Sequence, residues 1–256
     1  MTRIRLGAGR LAVALLALVS FGGAAVAADV RVMISGGFSE AYRVPVPAFE
    51  TASGHKVTTA YGASMGTSPD AIPVRLARGE PADVLIMVGP ALDDLAAGGG
   101  VLAASRVELA RSGIGMAVRK GAARPDISSA EGLKRALLEA KAVAYSESAS
   151  GVHISKELCA RFGVVEQMKG RTRTVVGERV GNVVARGQAD IGFQQISELK
   201  PIAGIDLVGP LPAEVQKITL FSAGSAAQSK EPDAGRALIA FLSSPTARDI
   251  EAVSIR

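Results

Sequence analysis

Three times in this chain an apolar, strand-like run ends in a cluster of small residues that opens a helical segment. Val30-Arg31-Val32-Met33-Ile34 alternates as a buried strand does, and Ser35-Gly36-Gly37 then leads into Phe38-Ser39-Glu40. The pattern returns at Gly62-Ala63-Ser64, after Lys56–Tyr61, and at Ser148-Ala149-Ser150-Gly151, after Ala142–Tyr145. A strand that turns through glycine into a helix leaves backbone N–H groups unpaired, and the helix dipole adds partial positive charge there. Such a junction binds anions without a charged side chain. A lone Gly-Gly need only mark a tight turn; the repetition is what points to a site.

The junctions lie within a regular rhythm. Helical segments are predicted over Phe38–Ser53, kinked by Pro45 and Pro47, and over Ser64–Arg78, with Pro69 and Pro73 near its start. Asp83–Val88 is a short continuous apolar strand, and Pro90–Ala97 a helix closed by Gly98-Gly99-Gly100. Strand and helix alternate three times, as in a parallel sheet covered by helices. Val107–Arg119 then reads as a long extended segment crossing between lobes. Pro125-Asp126-Ile127-Ser128 caps a helix over Ser129–Ala140. A second alternation follows, with a helix over Gly151–Phe162, a strand at Arg173–Val176, a helix over Glu178–Arg186 and a strand at Asp190–Phe193. Ile205–Val208 and Ile218–Ala223 are further strands, the second crossing back, and Glu231–Ser243 and Pro245–Val253 are closing helices. The expected fold is α/β with two lobes, each a mainly parallel sheet flanked by helices, joined by crossing hinge strands. Residues 29–112 and 218–256 form one lobe and 113–217 the other. Ligands of such sheets bind outside the carboxyl ends of the strands, here in the cleft between lobes.

Residues 1–28 are read as a secretory signal peptide. Arg3, Arg5 and Arg10 precede an apolar run of about 16 residues, Leu11–Val26, and Ala25-Val26-Ala27 offers a small-x-small cleavage site. The run is shorter than the roughly 20 residues that span a bilayer. Removal leaves 228 residues, and because three basic residues leave with the leader, the net charge drops from +5 to +2. With positive charges scattered and few aromatics, a nucleic-acid partner is not expected. The single cysteine, Cys159, lies on the apolar face of its helix and excludes a disulfide or Cys-rich metal site. The only histidines, His55 and His153, cannot build a multi-His metal centre.

As a set, several stretches resemble the periplasmic molybdate-binding-like family of extracellular solute-binding proteins that serve ABC importers. They are Ser35-Gly36-Gly37-Phe38, Gly62-Ala63-Ser64, Gly79-Glu80-Pro81-Ala82-Asp83-Val84, Arg111–Val118, Lys120-Gly121-Ala122 with Pro125-Asp126-Ile127, Ser150-Gly151-Val152 and Gly187-Gln188-Ala189-Asp190-Ile191-Gly192. The resemblance covers nearly all of the mature chain. It implies two lobes, a hinge and a small anion held by uncharged donors. Carried over by position, the ligand-binding residues are Gly37 with Phe38, Ser64 with Met65, Ser150 with Gly151 and Val152, Gly177, and Gln195. Gly37 stands where true molybdate binders have an oxyanion-binding serine, and Gln195 near where they have a tyrosine. The resemblance therefore keeps the architecture but opens the ligand to a larger anion such as an organic carboxylate. Arg43 and Arg179 are candidate counter-charges, and Gln194 or Gln195 could donate to a carboxylate.

The chain is thus expected to be a secreted, periplasmic, monomeric solute-binding protein. It would capture a molybdate-type oxyanion or small carboxylate for a membrane permease, with no cofactor and no covalent chemistry. One rival is a serine hydrolase, since Gly62-Ala63-Ser64-Met65-Gly66 fits the G-x-S-x-G elbow, with Asp83 or Asp126 and His153 as triad partners. A glycosidase would need a carboxylate pair, for which Glu147 and Glu178 are the candidates.

Overall fold

The computed structural model describes residues 27–254, so the expected leader lies outside the described residues but for its last two. The chain opens with β1 (Asp29–Ile34), α1 (Gly36–Arg43) and α2 (Val46–Ser53). A single kinked helix was predicted over the latter two; Pro45, which has no N–H to donate, divides it. Gly54 ends α2 in the left-handed region at φ 74° and leads into β2 (Lys56–Tyr61). Of the helix predicted over 64–78, only α3 (Ile72–Ala77) forms. Residues 62–71 form a loop instead, because Ser64 Oγ accepts from the Val88 N–H at 2.9 Å and the Ile72 N–H bonds Ala63 O at 2.9 Å. Then follow β3 (Val84–Val88), α4 (Gly89–Ala97) and a 3₁₀ turn at Ala103–Ser105.

The long extended segment is two strands, β4 (Val107–Ser112) and β5 (Ile114–Arg119), which part at Gly113 into different sheets. α5 (Ala130–Glu139) is capped by Ser129, whose Oγ accepts from the Gly132 N–H at 3.1 Å, one residue beyond the predicted cap. After β6 (Val143–Ser146) comes α6 (Ala149–Val152), a π-helical stretch at His153–Leu158 and α7 (Cys159–Arg161), where one regular helix was predicted. The remainder is α8 (Val165–Met168), β7 (Thr172–Val175), α9 (Val180–Ala185), β8 (Ile191–Gln195), α10 (Ile196–Leu199), β9 (Ile205–Pro210), β10 (Thr219–Ser225), α11 (Pro232–Leu242) and α12 (Pro245–Ser254). α8 and α10, four residues each, are too short to show a helical period in the sequence.

The expected two-lobe α/β arrangement is present. One five-stranded sheet has the order β2-β1-β3-β10-β4 and the other β7-β6-β8-β5-β9. In each, three parallel strands are followed on one side by a strand running against them, β10 or β5, and then by an edge strand paired antiparallel to it, β4 or β9. Both faces of the first sheet are covered. Val30, Val32, Ile34, Ile86 and Val88 pack under Phe38, Phe49 and Leu238, while Met33, Leu85 and Met87 pack under Ile72 and Leu92. The second sheet puts Met116, Val143 and Phe193 against Leu133, Ile154 and Leu158, and Ala117 and Ala144 against Val180 and Val184.

Two crossings join the sheets, at Gly113 and along residues 211–218. Gln216 fastens one to the other: its Oε1 accepts from the Ile114 N–H at 2.8 Å and its Nε2 donates to Ile114 O at 3.0 Å. The side chain thus acts as a short antiparallel strand.

Asp83, 2% exposed, anchors the return of the chain to the first lobe. Its carboxylate accepts from the Arg31, Lys230 and Glu231 N–H groups and from Ser229 Oγ, at 2.8 to 3.1 Å. Burial pushes this carboxyl up, but the four donors together outweigh burial and hold it below its usual value. Asp83→Ala strands those donors and should lower the free energy of unfolding by about 4 kcal/mol in urea titrations. Because the carboxyl is depressed in the folded state, its stabilisation is complete above the unfolded value of 3.8 and fades as pH falls below it. The gap between wild type and variant should therefore narrow in acid.

Candidate functional site

The carboxyl ends of β1, β2, β6, β7 and β8 meet across the cleft between the two sheets. Their loops enclose a cavity of about 460 Å³, within the range of small-molecule sites. Gly36, Ser39, Glu40, Arg43 and Tyr61 line it from one lobe, and Ser146, Glu147, Gly177, Arg179 and Gln194 from the other. A second cavity of about 40 Å³ shares Gly36, Ala63 and Ser148 with it and forms its floor. That is close to one water molecule's share of liquid volume, room for one carboxylate-sized group.

The floor is lined with hydroxyls. Ser64 is fully buried and its Oγ accepts from the Val88 N–H, which leaves its own proton free to donate. Ser150 Oγ lies 3.0 Å from Ser146 Oγ. Ser35, 3% exposed, has a buried Oγ with no hydrogen-bond partner. The Gly36 and Gly37 N–H groups open α1 and, as first-turn amides, have no partner within the helix. The set can hold an anion by uncharged donors alone.

Two close approaches shape this floor. A side chain at Gly37 would overlap the Phe221 ring. Phe221 therefore occupies the space in which a serine at this position would stand. A side chain at Gly36 would collide with Glu198 Oε1, which approaches the α1 backbone from the opposite lobe. Burial pushes the Glu198 carboxyl up to about 7, against the pull of Arg179 and a hydrogen bond from Gln194.

On the upper wall Glu40 is paired twice. Arg179 reaches across the cleft to Glu40 Oε1 at 2.6 Å and Ser39 Oγ at 3.1 Å. Arg43 holds the other Glu40 oxygen at 2.6 Å. The Arg179 hydrogen bond chiefly, with both guanidinium charges, outweighs burial and keeps Glu40 below its ordinary value. Ser197 Oγ adds a second link between lobes, donating to Gly37 O at 2.6 Å.

Residues 30–252 match the family described as bacterial extracellular solute-binding protein. The chain belongs to that family. A curated relative from a Pseudomonas species, named aconitate isomerase, is 50% identical over 216 residues, which covers 84% of this chain and 82% of the relative. The periplasmic molybdate-binding protein of Azotobacter vinelandii superposes with a TM-score of 0.68 at 18% identity, covering 88% of this chain and 97% of that one. A tungstate ABC transporter structure from Geobacter sulfurreducens gives a TM-score of 0.67 at 14% identity, covering 88% and 98%.

In this solute-binding protein, Gly37, Ser64, Ser150 and Gln195 come together on the floor, and Gly177 lines the larger cavity. Gly151 lies beneath, its backbone pressed against Ser146 O. Phe38 packs into the core of the first lobe, Met65 packs beside Ile72 and Leu85, and Val152 is half-buried. Gln195 ties the crossings together: with its oxygen accepting from Thr219 Oγ1 at 2.8 Å, its nitrogen donates to Ser112 O at 3.1 Å. Glu198 and Phe221 escaped the sequence reading. Glu198 sits in a four-residue turn of helix that leaves no period in the sequence, and Phe221 in a segment that looks like plain sheet core.

The residues considered for a hydrolase triad are not assembled. Asp83 holds the chain return described above, and Asp126 accepts from the Ser128 N–H at 2.9 Å on the surface. His153 bonds Val215 O at 3.0 Å and Glu157 at 2.8 Å. None of the three bonds Ser64. Glu147 and Glu178 both line the larger cavity, but Glu178 is held by Arg186 at 2.7 and 2.9 Å. Among the described residues there is no His, Cys, Asp and Glu cluster able to hold a metal ion.

Two outcomes follow from this geometry. Gly37→Ser alone should cost about 2 kcal/mol by overpacking against Phe221, and Phe221→Ala should relieve part of it, seen as a favourable coupling in a double-mutant cycle of urea unfolding. For Glu198, the folded state keeps its proton up to about pH 7, whereas the unfolded chain loses it near 4.5. Wild-type stability should therefore fall relative to Glu198→Gln as pH rises between those values, read as diverging melting temperatures.

Proposed function

We propose that this protein binds a small polycarboxylate of the aconitate class between its lobes and interconverts the cis and trans isomers. The observation that carries this reading is the 50% identity to the Pseudomonas aconitate isomerase over 216 residues, a length that neither lobe can supply alone. The site chemistry agrees with it. Hydroxyls and helix-opening amides at the floor suit a carboxylate, and the larger cavity accommodates the remainder of a six-carbon acid. Phe221, by filling the place of an oxyanion-binding serine, argues against a tetrahedral oxyanion such as molybdate.

The reaction sets a clear chemical demand. A carbon–carbon double bond does not rotate at ordinary temperature, so its geometry changes only if the bond is shifted or transiently lost, and a proton shift achieves this with an acid–base group alone. Loss of a proton from the methylene carbon spreads the electron pair over three carbons and their carboxylates. Return of a proton to the opposite terminal carbon completes the shift. The former single bond becomes the double bond, with the geometry in which the substrate was held. The step is redox-neutral, with one C–H bond broken and one formed. It needs anchored carboxylates and a positioned proton acceptor.

Family membership favours a second role for the same cleft, capture of the acid in the periplasm for an ABC permease, with the protein exported by its leader and acting as a monomer. Capture and isomerisation can share a site, since both need the same anchored carboxylates.

The test is direct. Purified protein is mixed with cis- or trans-aconitate and followed by proton NMR, beside a thermal-shift panel of aconitates, citrate, molybdate, tungstate and sulfate. We expect either isomer to be converted to the same equilibrium mixture, and aconitate at 100 times its Kd to add about 2.7 kcal/mol of stability. Binding without turnover would leave only the capture role. A response to molybdate or tungstate alone would overturn the carboxylate reading.

A further inference from the structure

Among the described residues, Glu198 is the cleft carboxyl group that no ion pair claims and whose acidity is weakened. Glu40 is gripped by two arginines, and Glu178 by Arg186, with the Arg186 hydrogen bond holding Glu178 below its ordinary value. Such carboxylates are poor proton acceptors near neutral pH. Glu147 lines the larger cavity rather than the floor, with a buried Oε1 that has no partner and its other carboxyl oxygen against Gly66.

Glu198 is also aimed. Its Oε1 accepts from Gln194 Nε2 at 2.9 Å, and Gln194 Oε1 accepts from the Val180 N–H at 2.8 Å. That second bond fixes which way the amide faces, so its nitrogen is presented to the carboxyl group. From the other side Gly36 gives way, with no side chain between Glu198 and the α1 amides. The carboxyl group therefore borders the floor beside Ser35, Ser64 and Ser150, where the carboxylate of a bound acid would sit.

Resting on the isomerase reading above, we propose that Glu198 carries the proton of the double-bond shift, with Gln194 as its positioning residue. As carboxylate it takes a proton from the methylene carbon. The electron pair passes into the three-carbon unit and onto the substrate carboxylate held at the floor. The same group, now a carboxylic acid whose proton exchanges with solvent through the open cleft, returns a proton to the opposite terminal carbon, so that one base serves both ends and no other reactant is consumed. Its weakened acidity, with burial pushing the carboxyl up to about 7, places both forms within reach near neutral pH. Charged groups on the surrounding elements are Arg179 ahead of α9, Glu40 and Arg43 on α1, Lys200 at the end of α10, and Arg119 and Asp206 toward the far ends of β5 and β9. Arg179 is the one that pulls on Glu198.

The experiment compares full-length wild type, Glu198→Gln and Glu198→Asp. It measures trans-aconitate binding by calorimetry, turnover across pH, and deuterium uptake from D₂O into the methylene and vinyl positions. Glu198→Gln is expected to bind within a few-fold of wild type, to lose turnover by at least about 10³-fold, within the range a general acid–base group supplies, and to lose deuterium uptake in parallel. Glu198→Asp should keep part of the turnover with a displaced acidic limb in its pH profile. If Glu198→Gln turns over within tenfold of wild type, the assignment is overturned while the isomerase reading stands. If it loses binding as completely as turnover, Glu198 is an anchor and not the proton carrier. If wild type itself neither binds nor converts aconitate, the isomerase reading fails, and this assignment with it.

Discussion

Everything in the cleft depends on two thin crossings that must hold their register. Among the described residues no strand of one sheet pairs with a strand of the other, and the chain passes between them at Gly113 and along 211–218. Two glutamines secure these passages. Gln216 pairs with both backbone groups of Ile114, and Gln195 spans Ser112 and Thr219. Gln216 supplies the acceptor for the Ile114 N–H and shares Ile114 O with the Leu211 N–H, and Gln195 adds a donor to Ser112 O, so the backbone groups at both passages are well supplied with partners. The clamps lie at the roots of the crossings and leave the sheets themselves untouched. Rotation of one lobe against the other is thereby concentrated at a few residues, as hinge closure requires.

The cleft places several acids where an anion should bind, and pairing makes this tolerable. Glu40 lies between Arg43 and Arg179, and Glu178 is bound by Arg186. The Arg179–Glu40 pair also joins the two lobes, so the charge that neutralises one wall comes from the other. Partly exposed pairs of this kind contribute little net stability. Their effect is on geometry: α1 and the lead-in to α9 are held at a fixed distance, and the floor between them keeps its donors free of competing carboxylates. Glu198 is handled differently. It enters the floor unpaired, and burial settles the conflict by weakening its acidity rather than by recruiting a cation.

The strand framework was legible in the sequence because each central strand carries its full apolar pattern. β3 is buried at all five positions, and β1 alternates between two cores. Helix boundaries were less legible wherever a tertiary bond overrode local pattern. The loop at 62–71 exists because Ser64 bonds Val88, a partner 24 residues away. The π-helical turn at His153–Leu158 likewise leaves no mark on the apolar spacing. At the site, small residues at strand ends disclosed the floor, since anion-binding backbone must be bare and turns need glycine. Glu198 and Phe221 were hidden for the opposite reason. Nothing in the residues around them marks a site, and their importance arises from what distant parts of the chain bring against them.

That last point explains how one architecture can change ligand without changing fold. Gly37 and Phe221 are 184 positions apart, yet they share one volume: a side chain at 37 and a ring at 221 cannot coexist. Gly36 and Glu198 make the same kind of exchange, a missing side chain in one lobe admitting a carboxyl group from the other. Each pairing withdraws contact atoms from α1 and replaces them with atoms carried by the opposing strand or helix. A tetrahedral oxyanion needs donors on all sides, which a serine at 37 would help to supply. A planar carboxylate attached to a carbon chain needs donors on one side and open space on the other. Bare amides beneath, a flat ring beside them and a single acid at the edge meet that second demand. The shape of the pocket floor and the entry of Glu198 into it therefore come from the same two substitutions of backbone for side chain, on consecutive residues of a single helix start.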